Sequence, residues 1–221
     1  MKLRTFFSKL FSREVMFSGK LKDGFGRLVR PLVELFATLG LRPDFFTTLG
    51  LLLSIGAAAA FAVGWFPWAG ILVLVAGLCD VFDGQVARAA NKGTRFGALL
   101  DSTLDRYSEA FIFFGIALYL VRTGDIWTKM ALLFALAGSL MVSYVRARAE
   151  GLGIECQGGL MQRTQRTLAV ALGALFGKTG LIVAIWLVAV LANYTVVERI
   201  YHVWTMTKPL SLEKEDTTVP G

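Results

Sequence analysis

Four aspartates in one apolar stretch of the chain are spaced as they would be on α-helices. Asp80 and Asp83 are three residues apart, and Asp101 and Asp105 are four residues apart. Residues at either spacing lie on the same face of a helix, so each pair shares one face. Such carboxylates could bind divalent metal ions, pair with arginines on other helices, or line an ion-transport pathway.

The two pairs come to matching depths if the chain reverses near residues 91–93. At a rise of ~1.5 Å per residue, Asp83 lies roughly 12 Å from the reversal and Asp80 roughly 16 Å. On the following helix, Asp101 lies roughly 10 Å and Asp105 roughly 16 Å from it. Antiparallel helices would therefore bring all four carboxylates together.

Four carboxylates inside a membrane protein need nearby positive charge. Each buried aspartate costs about 2.5–3.5 kcal/mol on insertion scales, and like charges add repulsion. Arg88 and Arg95 are too few and lie nearer the membrane surface. All-oxygen ligands favour Mg²⁺ or Mn²⁺ over Zn²⁺, and two such ions about 3.5–4 Å apart suit phosphoryl-transfer chemistry. The aspartates therefore predict a site for two Mg²⁺ or Mn²⁺ ions.

The composition predicts a protein that crosses a membrane several times. Of the 221 residues, 55% are hydrophobic and 18% are charged, compared with about 25% charged in ordinary soluble domains. The net charge of +7 is then explained by basic cytoplasmic loops, and we expect no nucleic-acid partner. With a single histidine, His202, and two cysteines in no metal-type spacing, chemistry based on His pairs or Cys clusters is excluded.

The hydrophobic pattern predicts an all-α integral membrane fold with six transmembrane helices. We expect spans at residues 45–65, 67–90, 94–121, 127–149, 162–176 and 180–201. Connections rich in Lys and Arg alternate with connections that are poor in them, which predicts that both chain ends face the cytoplasm. The protein is therefore expected to be a multi-pass protein of the cytoplasmic membrane, with the aspartates open to the cytoplasm.

The chain divides into three regions by this pattern: a basic juxtamembrane region at 1–44, a six-helix membrane domain at 45–205 and a tail at 206–221. In the first region, Phe6, Phe7, Leu10 and Phe11 share a face while Lys and Arg surround them. This pattern predicts an amphipathic helix lying on the membrane surface, and a frayed basic tail is the alternative.

The aspartates belong to a longer motif: Asp80-x-x-Asp83-Gly84-x-x-Ala87-Arg88, eight residues, then Gly97-x-x-x-Asp101-x-x-x-Asp105. This motif resembles the complete signature of the CDP-alcohol phosphatidyltransferases. The resemblance implies an enzyme that joins a CDP-linked lipid, usually CDP-diacylglycerol, to a second alcohol and releases CMP. It also implies two metal ions, contact with membrane lipids and a homodimer.

The resemblance assigns a role to each residue of the motif. It implies that Asp80, Asp83 and Asp101 are the principal metal ligands, and that Asp105 is the general base and also contacts metal. The CDP-lipid site would consist of Asp80, Asp83, Gly84, Ala87, Arg88 and Gly97. In that site Gly84 and Ala87 would leave room for the cytidine, and Arg88 would bind the diphosphate.

A second polar stretch, "SYVRARAEGLGIECQGGLMQRTQR" at residues 143–166, contains several arginines. Cytoplasmic-loop charge explains some of them, but arginines beside a metal site also suggest a phosphorylated acceptor. The stretch resembles the phosphatidylinositol-phosphate synthases and archaeal inositol-phosphate transferases of the same family, with Arg146 in place of a lysine. By this resemblance Ser143, Arg146, Arg163 and Arg199 would bind the phosphate of a phosphorylated polyol, inositol phosphate.

Two alternatives remain open at this point. Within the family, glycerol 3-phosphate is the competing acceptor, which would make the protein a phosphatidylglycerophosphate synthase. Outside the family, a small cation transporter would also place carboxylates inside a membrane.

Overall fold

The structure, a computed structural model, describes Val33, Phe36 and residues 43–89, 94–156 and 158–207. These residues form six α-helices and no strand, which confirms the all-α prediction. The helices are α1 (Pro43–Ala62), α2 (Phe66–Ala89), α3 (Arg95–Thr123), α4 (Ile126–Gly151), α5 (Arg163–Leu175) and α6 (Gly177–Thr207). Each expected span corresponds, in order, to one helix.

Four of these helices are long and apolar enough to cross a membrane: α1, α2, α4 and α6. The first half of α3 contains the charged residues Asp101, Asp105, Arg106 and Glu109, so its mean hydropathy is low there. Helix α5 has 13 residues and is therefore ~20 Å long, which is shorter than the ~30 Å hydrocarbon core. The protein is a helical membrane protein, and both helices outside the set of four contribute charged residues to the cluster described below.

Helix α1 is the central packing element for the site, because it packs against both α2 and α3. The approach of α1 to α3 is close at Gly115, where an added Cβ would overlap the backbone of Ala58. Small residues permit this kind of backbone contact between membrane helices. Helix α5 packs against α2 and α6, and α4 packs against α6. The core is built mainly from alanines and branched aliphatic side chains, among them Ala57, Val73, Ile116 and Ile185.

The helix boundaries follow ordinary capping chemistry. Thr94 caps α3, its Oγ1 accepting the N–H of Gly97 at 2.9 Å. Asp125 caps α4 by accepting the Thr128 hydroxyl at 2.7 Å and the Thr128 N–H at 3.0 Å, and these hydrogen bonds hold the pKa of Asp125 below its ordinary value. Gly177, the first residue of α6, has a φ of 75°, a backbone conformation that favours glycine. It lies at the tight turn between α5 and α6.

The predicted interfacial helix and the C-terminal tail beyond Thr207 fall outside the described residues. Within residues 1–42 the structure describes Val33 and Phe36 alone. The Phe36 ring lies 5.1 Å from that of Phe46 and 5.4 Å from that of Phe82, measured between centroids. This part of the N-terminal region therefore packs against α1 and α2 next to the acidic residues of α2.

Candidate functional site

Three carboxylates from two helices converge at the site. Asp80 lies on α2, while Asp101 and Asp105 lie on α3. One oxygen from each lies within 4.8 Å of the other two. All three residues are partly buried, so the cluster keeps some access to solvent.

The cluster fits a divalent cation on two grounds. Oδ1 of Asp101 is buried and has no hydrogen-bond partner among the described residues, and an unpaired buried carboxylate oxygen is costly unless a cation satisfies it. The donors are all carboxylate oxygens, which suits Mg²⁺ or Mn²⁺. Asp80, Asp101 and Asp105 are therefore three residues whose oxygens already lie close enough together to hold metal.

Asp83 stands slightly apart from these three. It is 6% exposed, and its Oδ2 accepts a hydrogen bond from the Thr47 hydroxyl of α1 at 3.0 Å. The sequence predicts that all four carboxylates come together, and the structure brings three of them into one group with the fourth oriented toward α1. Helix α1 packs against both α2 and α3. Its Thr47 hydroxyl donates to Asp83, and this hydrogen bond orients the Asp83 carboxylate toward α1.

Arg163, the first residue of α5, bridges two of the carboxylates. Its Nη1 lies 2.9 Å from Oδ1 of Asp80, and its Nη2 lies 2.6 Å from Oδ1 of Asp105. Arg106 adds a longer contact, with Nη1 3.4 Å from Oδ2 of Asp105. The positive charge that the acidic cluster requires is thus partly supplied by two arginines, one of which the sequence placed in the acceptor pocket.

The other predicted acceptor residues make different contacts. Ser143 donates to the carbonyl of Ser139 at 3.4 Å, and the exposed Arg146 donates through Nε to Glu150 at 2.8 Å. Arg199 is 1% exposed and donates to the carbonyls of Gly158 and Val142 at 2.9 Å and 2.5 Å. Among the described contacts of the four predicted acceptor residues, those of Arg163 alone reach the acidic cluster.

The remaining predicted CDP-lipid residues lie between Asp83 and the end of α2, or one turn before Asp101 on α3. Gly84 is half-buried on α2, and Gly97 lies in the first turn of α3, where it donates to Thr94. Ala87 and Arg88 belong to the last turn of α2, but their side chains fall outside the part of the chain that the structure describes.

An open cleft lies at the carboxylates. Its polar wall includes Asp80, Asp105 and Arg163, and its apolar wall includes Phe46 and Val73. A pocket with convergent polar groups on one side and hydrocarbon on the other can hold an amphiphilic molecule. The arrangement suits a molecule with a charged headgroup and an apolar tail.

Four residues near the site were not among the predicted site residues: Thr47, Arg106, Glu109 and Arg166. Glu109 and Arg166 form a buried ion pair, with Nε–Oε1 2.7 Å and Nη2–Oε2 2.9 Å. Glu109 is four residues after Asp105, and Arg166 is three after Arg163, so helical periodicity places each on the same face as a predicted site residue. Thr47 has no comparable signal, because its contact with Asp83 depends on how α1 packs.

Known proteins resemble this chain in sequence and in structure. A family model described as CDP-alcohol phosphatidyltransferase matches residues 41–207. Archaetidylinositol phosphate synthase from Methanothermobacter thermautotrophicus is 38% identical over 82% of this chain and 91% of its own. Phosphatidylinositol phosphate synthase from Mycobacteroides abscessus is 35% identical over 86% of this chain and 90% of its own.

Solved structures of the phosphatidylinositol phosphate synthase from Mycobacterium tuberculosis superpose on this chain. The crystal structure with CDP-DAG bound gives a TM-score of 0.72 at 35% identity, covering 81% of this chain and 94% of that one. A second crystal structure of the same synthase is a complex with manganese and citrate, also with a TM-score of 0.72 at 35% identity, covering 79% and 88%.

Proposed function

The chain belongs to the CDP-alcohol phosphatidyltransferase family, and we propose that it transfers a phosphatidyl group from CDP-diacylglycerol, or a similar CDP-lipid, to inositol phosphate and releases CMP. The relatives named for inositol phosphate products support this acceptor. The observation that carries the proposal is the group of three carboxylate oxygens within 4.8 Å of one another, with Arg163 in contact with two of the carboxylates.

Asp80, Asp83, Asp101 and Asp105 would hold two Mg²⁺ or Mn²⁺ ions. When bound, such ions neutralise the negative charge of the diphosphate and of the departing CMP. The protein supplies a rigid set of oxygens for them, because the carboxylates lie on two helices that both pack against α1. The Thr47 hydroxyl fixes the orientation of the Asp83 carboxylate, the kind of outer contact that orients metal ligands.

Asp105 acts as the general base in this proposal. One of its oxygens takes the proton from a hydroxyl of the acceptor as that hydroxyl oxygen attacks the lipid-linked phosphorus. The bond between this phosphorus and the CMP oxygen breaks, and the new phosphodiester joins lipid and acceptor. Arg163 and Arg106 contact the two Asp105 oxygens and hold the carboxylate in one orientation.

The acceptor phosphate would bind beside Asp105, where Arg163 lies. An arginine presents two parallel N–H donors that match the oxygens of a phosphate. Ser143, Arg146 and Arg199 extend this proposed pocket away from the carboxylates. On the CDP-lipid side, Asp80, Asp83, Gly84, Ala87, Arg88 and Gly97 would hold the cytidine and diphosphate, with Arg88 on the diphosphate.

The proposed arrangement in the membrane follows the charge pattern. Six helices would be embedded at 45–205, an amphipathic helix within 1–44 would lie on the membrane surface, and 206–221 would form a tail. Both chain ends and the carboxylate cleft would face the cytoplasm, in the cytoplasmic membrane, because the basic connections collect on that side. Within the bilayer, two copies would associate as a homodimer.

An acceptor screen tests the proposal. The purified protein is supplied with CDP-diacylglycerol, Mn²⁺ or Mg²⁺, and in turn inositol phosphate, glycerol 3-phosphate, free inositol or no acceptor. We expect CMP release and a new phospholipid with inositol phosphate, and neither with free inositol. A product formed from glycerol 3-phosphate in its place would assign the protein as a phosphatidylglycerophosphate synthase. Absence of CMP release with every acceptor would contradict the proposal and favour the hypothesis of a cation transporter.

The lipid part of the donor is tested in the same assay. One relative is named for an archaetidyl product and another for a phosphatidyl product, so CDP-diacylglycerol is compared with its diether analogue. A preference of tenfold or more, on the order of 1.4 kcal/mol, for either donor would identify the natural lipid class.

A further inference from the structure

In the buried ion pair between α3 and α5, all three nitrogens of an arginine side chain donate hydrogen bonds. Nε and Nη2 of Arg166 donate to the two oxygens of Glu109 at 2.7 Å and 2.9 Å, and Nη1 donates to the carbonyl of Met161 at 3.0 Å. The two side chains are 1% and 6% exposed. The bidentate geometry leaves this arginine one orientation relative to α3.

The pair lies one helical turn from the contact between the proposed base and the proposed acceptor-binding residue. Glu109 follows Asp105 by four residues on α3, and Arg166 follows Arg163 by three on α5. Residues at these spacings are neighbours on one helix face. Two ionic contacts, Arg163 with Asp105 and Arg166 with Glu109, therefore connect the same two helices in consecutive turns.

Little else in the described part of the chain holds these two helices in register. Helix α3 packs mainly against α1, and α5 packs mainly against α2 and α6, while backbone packing between α3 and α5 is marginal. The spacing between Asp105 and the start of α5 thus depends on side-chain contacts, and the Glu109–Arg166 pair is the more deeply buried of the two.

Both backbone polar groups of Met161, two residues before α5, are hydrogen-bonded. The Met161 N–H donates to Thr195 Oγ1 of α6 at 3.1 Å, while its carbonyl accepts from Arg166. Arg163 begins α5 two residues later. Arg166 therefore connects α3, the segment that precedes α5, and through that segment α6.

A buried ion pair is a weak source of stability, because desolvation offsets much of the attraction and an apolar pair of similar volume is often as stable. The bidentate contact and the third hydrogen bond of Arg166 instead fix the relative positions of the groups that it joins. We propose that Glu109 and Arg166 are positioning residues for the transfer reaction, which hold the Arg163 guanidinium at the distance from Asp105 that lets acceptor phosphate and acceptor hydroxyl bind together. The kinetic test of this inference rests on the proposed function, whereas the distance measurement described below depends only on the geometry.

Charge-conserving variants test the inference, since removing one charge of a buried pair risks loss of the fold. Glu109→Asp shortens the side chain by one methylene, and Arg166→Lys keeps the positive charge but removes the bidentate guanidinium. Misplacement by about 1 Å can lower a rate on the order of 100-fold. We expect each variant to raise KM for the phosphorylated acceptor and lower kcat, each by about tenfold or more, while KM for the CDP-lipid stays within about twofold.

A matched control separates positioning from general loss of stability. Asn193→Ala removes another interhelical hydrogen bond, from Nδ2 to the Phe134 carbonyl at 3.0 Å, at a place that the reaction does not use. We expect this variant to lower Tm without changing either KM. Proportional loss of activity in all three variants, tracking the folded fraction, would show that the pair is merely structural and would overturn the inference.

A distance measurement gives a readout that requires no substrate. Nitroxide labels at Phe114→Cys on α3 and Leu172→Cys on α5, both exposed positions, report the spacing of these helices by pulsed electron paramagnetic resonance, with the two native cysteines replaced by alanine. We expect a narrow distance distribution that broadens or shifts with Glu109→Asp and Arg166→Lys, and not with Asn193→Ala. An unchanged distribution in both pair variants overturns the inference, and this outcome is independent of which acceptor the protein uses.

Discussion

Nη2 of Arg163 lies 2.6 Å from Oδ1 of Asp105, so the residue proposed to bind the acceptor phosphate directly contacts the residue proposed to take the acceptor proton. The two residues come from different helices, α5 and α3. A polyol phosphate held by this arginine would have its hydroxyl groups next to the carboxylate. In the proposed reaction, the contact would connect recognition of the acceptor with the proton transfer.

Replacement of Asp105 by asparagine should abolish turnover while leaving CDP-lipid binding largely intact. The amide keeps the shape of the side chain but cannot accept the proton, and general bases contribute roughly 10²–10⁴-fold to rate. CMP release measures the loss, and titration calorimetry with the CDP-lipid measures binding. Turnover at the wild-type rate would remove Asp105 from the role of base.

Replacement of Arg163 by alanine should raise KM for the phosphorylated acceptor far more than KM for the CDP-lipid. A hydrogen bond to a charged group contributes about 1.5–3 kcal/mol, so the acceptor KM should rise about tenfold or more. Arg148→Ala, which removes an exposed arginine at the end of α4, is the matched control and should change neither constant. Equal increases in both constants in Arg163→Ala would refute the assignment of an acceptor pocket.

Replacement of Thr47 by valine should weaken metal binding. Valine has nearly the same shape but lacks the hydroxyl that donates to Asp83 at 3.0 Å, and loss of such outer contacts lowers metal affinity by about 10–100-fold. Paramagnetic resonance of free Mn²⁺ gives the affinity directly, and Thr47→Ser, which retains the hydroxyl, should bind like the wild type. If valine and serine bind Mn²⁺ equally well, the hydroxyl does not orient the ligand.

Removal of divalent metal should stop the reaction and lower thermal stability. Ions that bind only the folded state stabilise it in proportion to the logarithm of their concentration. We expect chelation to abolish CMP release, and Mn²⁺ or Mg²⁺ to restore it and raise Tm. Asp101→Asn should lose this increase in Tm, because Oδ1 of Asp101 is a buried oxygen of the cluster with no hydrogen-bond partner in the part of the chain that the structure describes. An equal increase in the variant would place the metal elsewhere.

Cys156 reports on the segment between α4 and α5. It is fully buried, and burial raises the pKa of its thiol above the ordinary value. Because only the thiolate reacts, a raised pKa means less reactive thiolate at a given pH, and we expect slow maleimide labelling at pH 7–8 that becomes fast on unfolding. The Cys156→Ala variant, which retains Cys79, gives the background. Fast labelling of the folded protein would show that this segment opens readily.

The order and type of the helices were predictable because each follows from a long apolar run and a local stop signal. Helix α3 was expected at 94–121 and is found at Arg95–Thr123, and α5 was expected at 162–176 and is found at Arg163–Leu175. The end of α6 was less predictable. Its expected span ends at 201, whereas the helix continues to Thr207. Near this end, Arg199 and His202 contact backbone carbonyls of the segment that precedes α5, and these contacts between distant parts of the chain have no local signal in the sequence.

The site was predictable to the extent that it is local. The spacing of the aspartates within α2 and α3 reveals two helix faces, and the chemistry of carboxylates then indicates metal. The contact of Thr47 with Asp83 joins residues 36 positions apart, and that of Arg166 with Glu109 joins residues 57 apart. Such pairs depend on which helices become neighbours, and a single sequence has no local signal for that.

The shortness of α5 has a consequence for the lipid around the protein. A helix of ~20 Å that turns back at one surface ends ~10 Å before the other side of a ~30 Å hydrocarbon layer. Its first residue, Arg163, would then lie at the bottom of a shallow water-filled depression, which small anions could enter without crossing hydrocarbon. Bilayer thickness sets the depth of that depression, so catalytic rate should vary among vesicles made from lipids of different chain length.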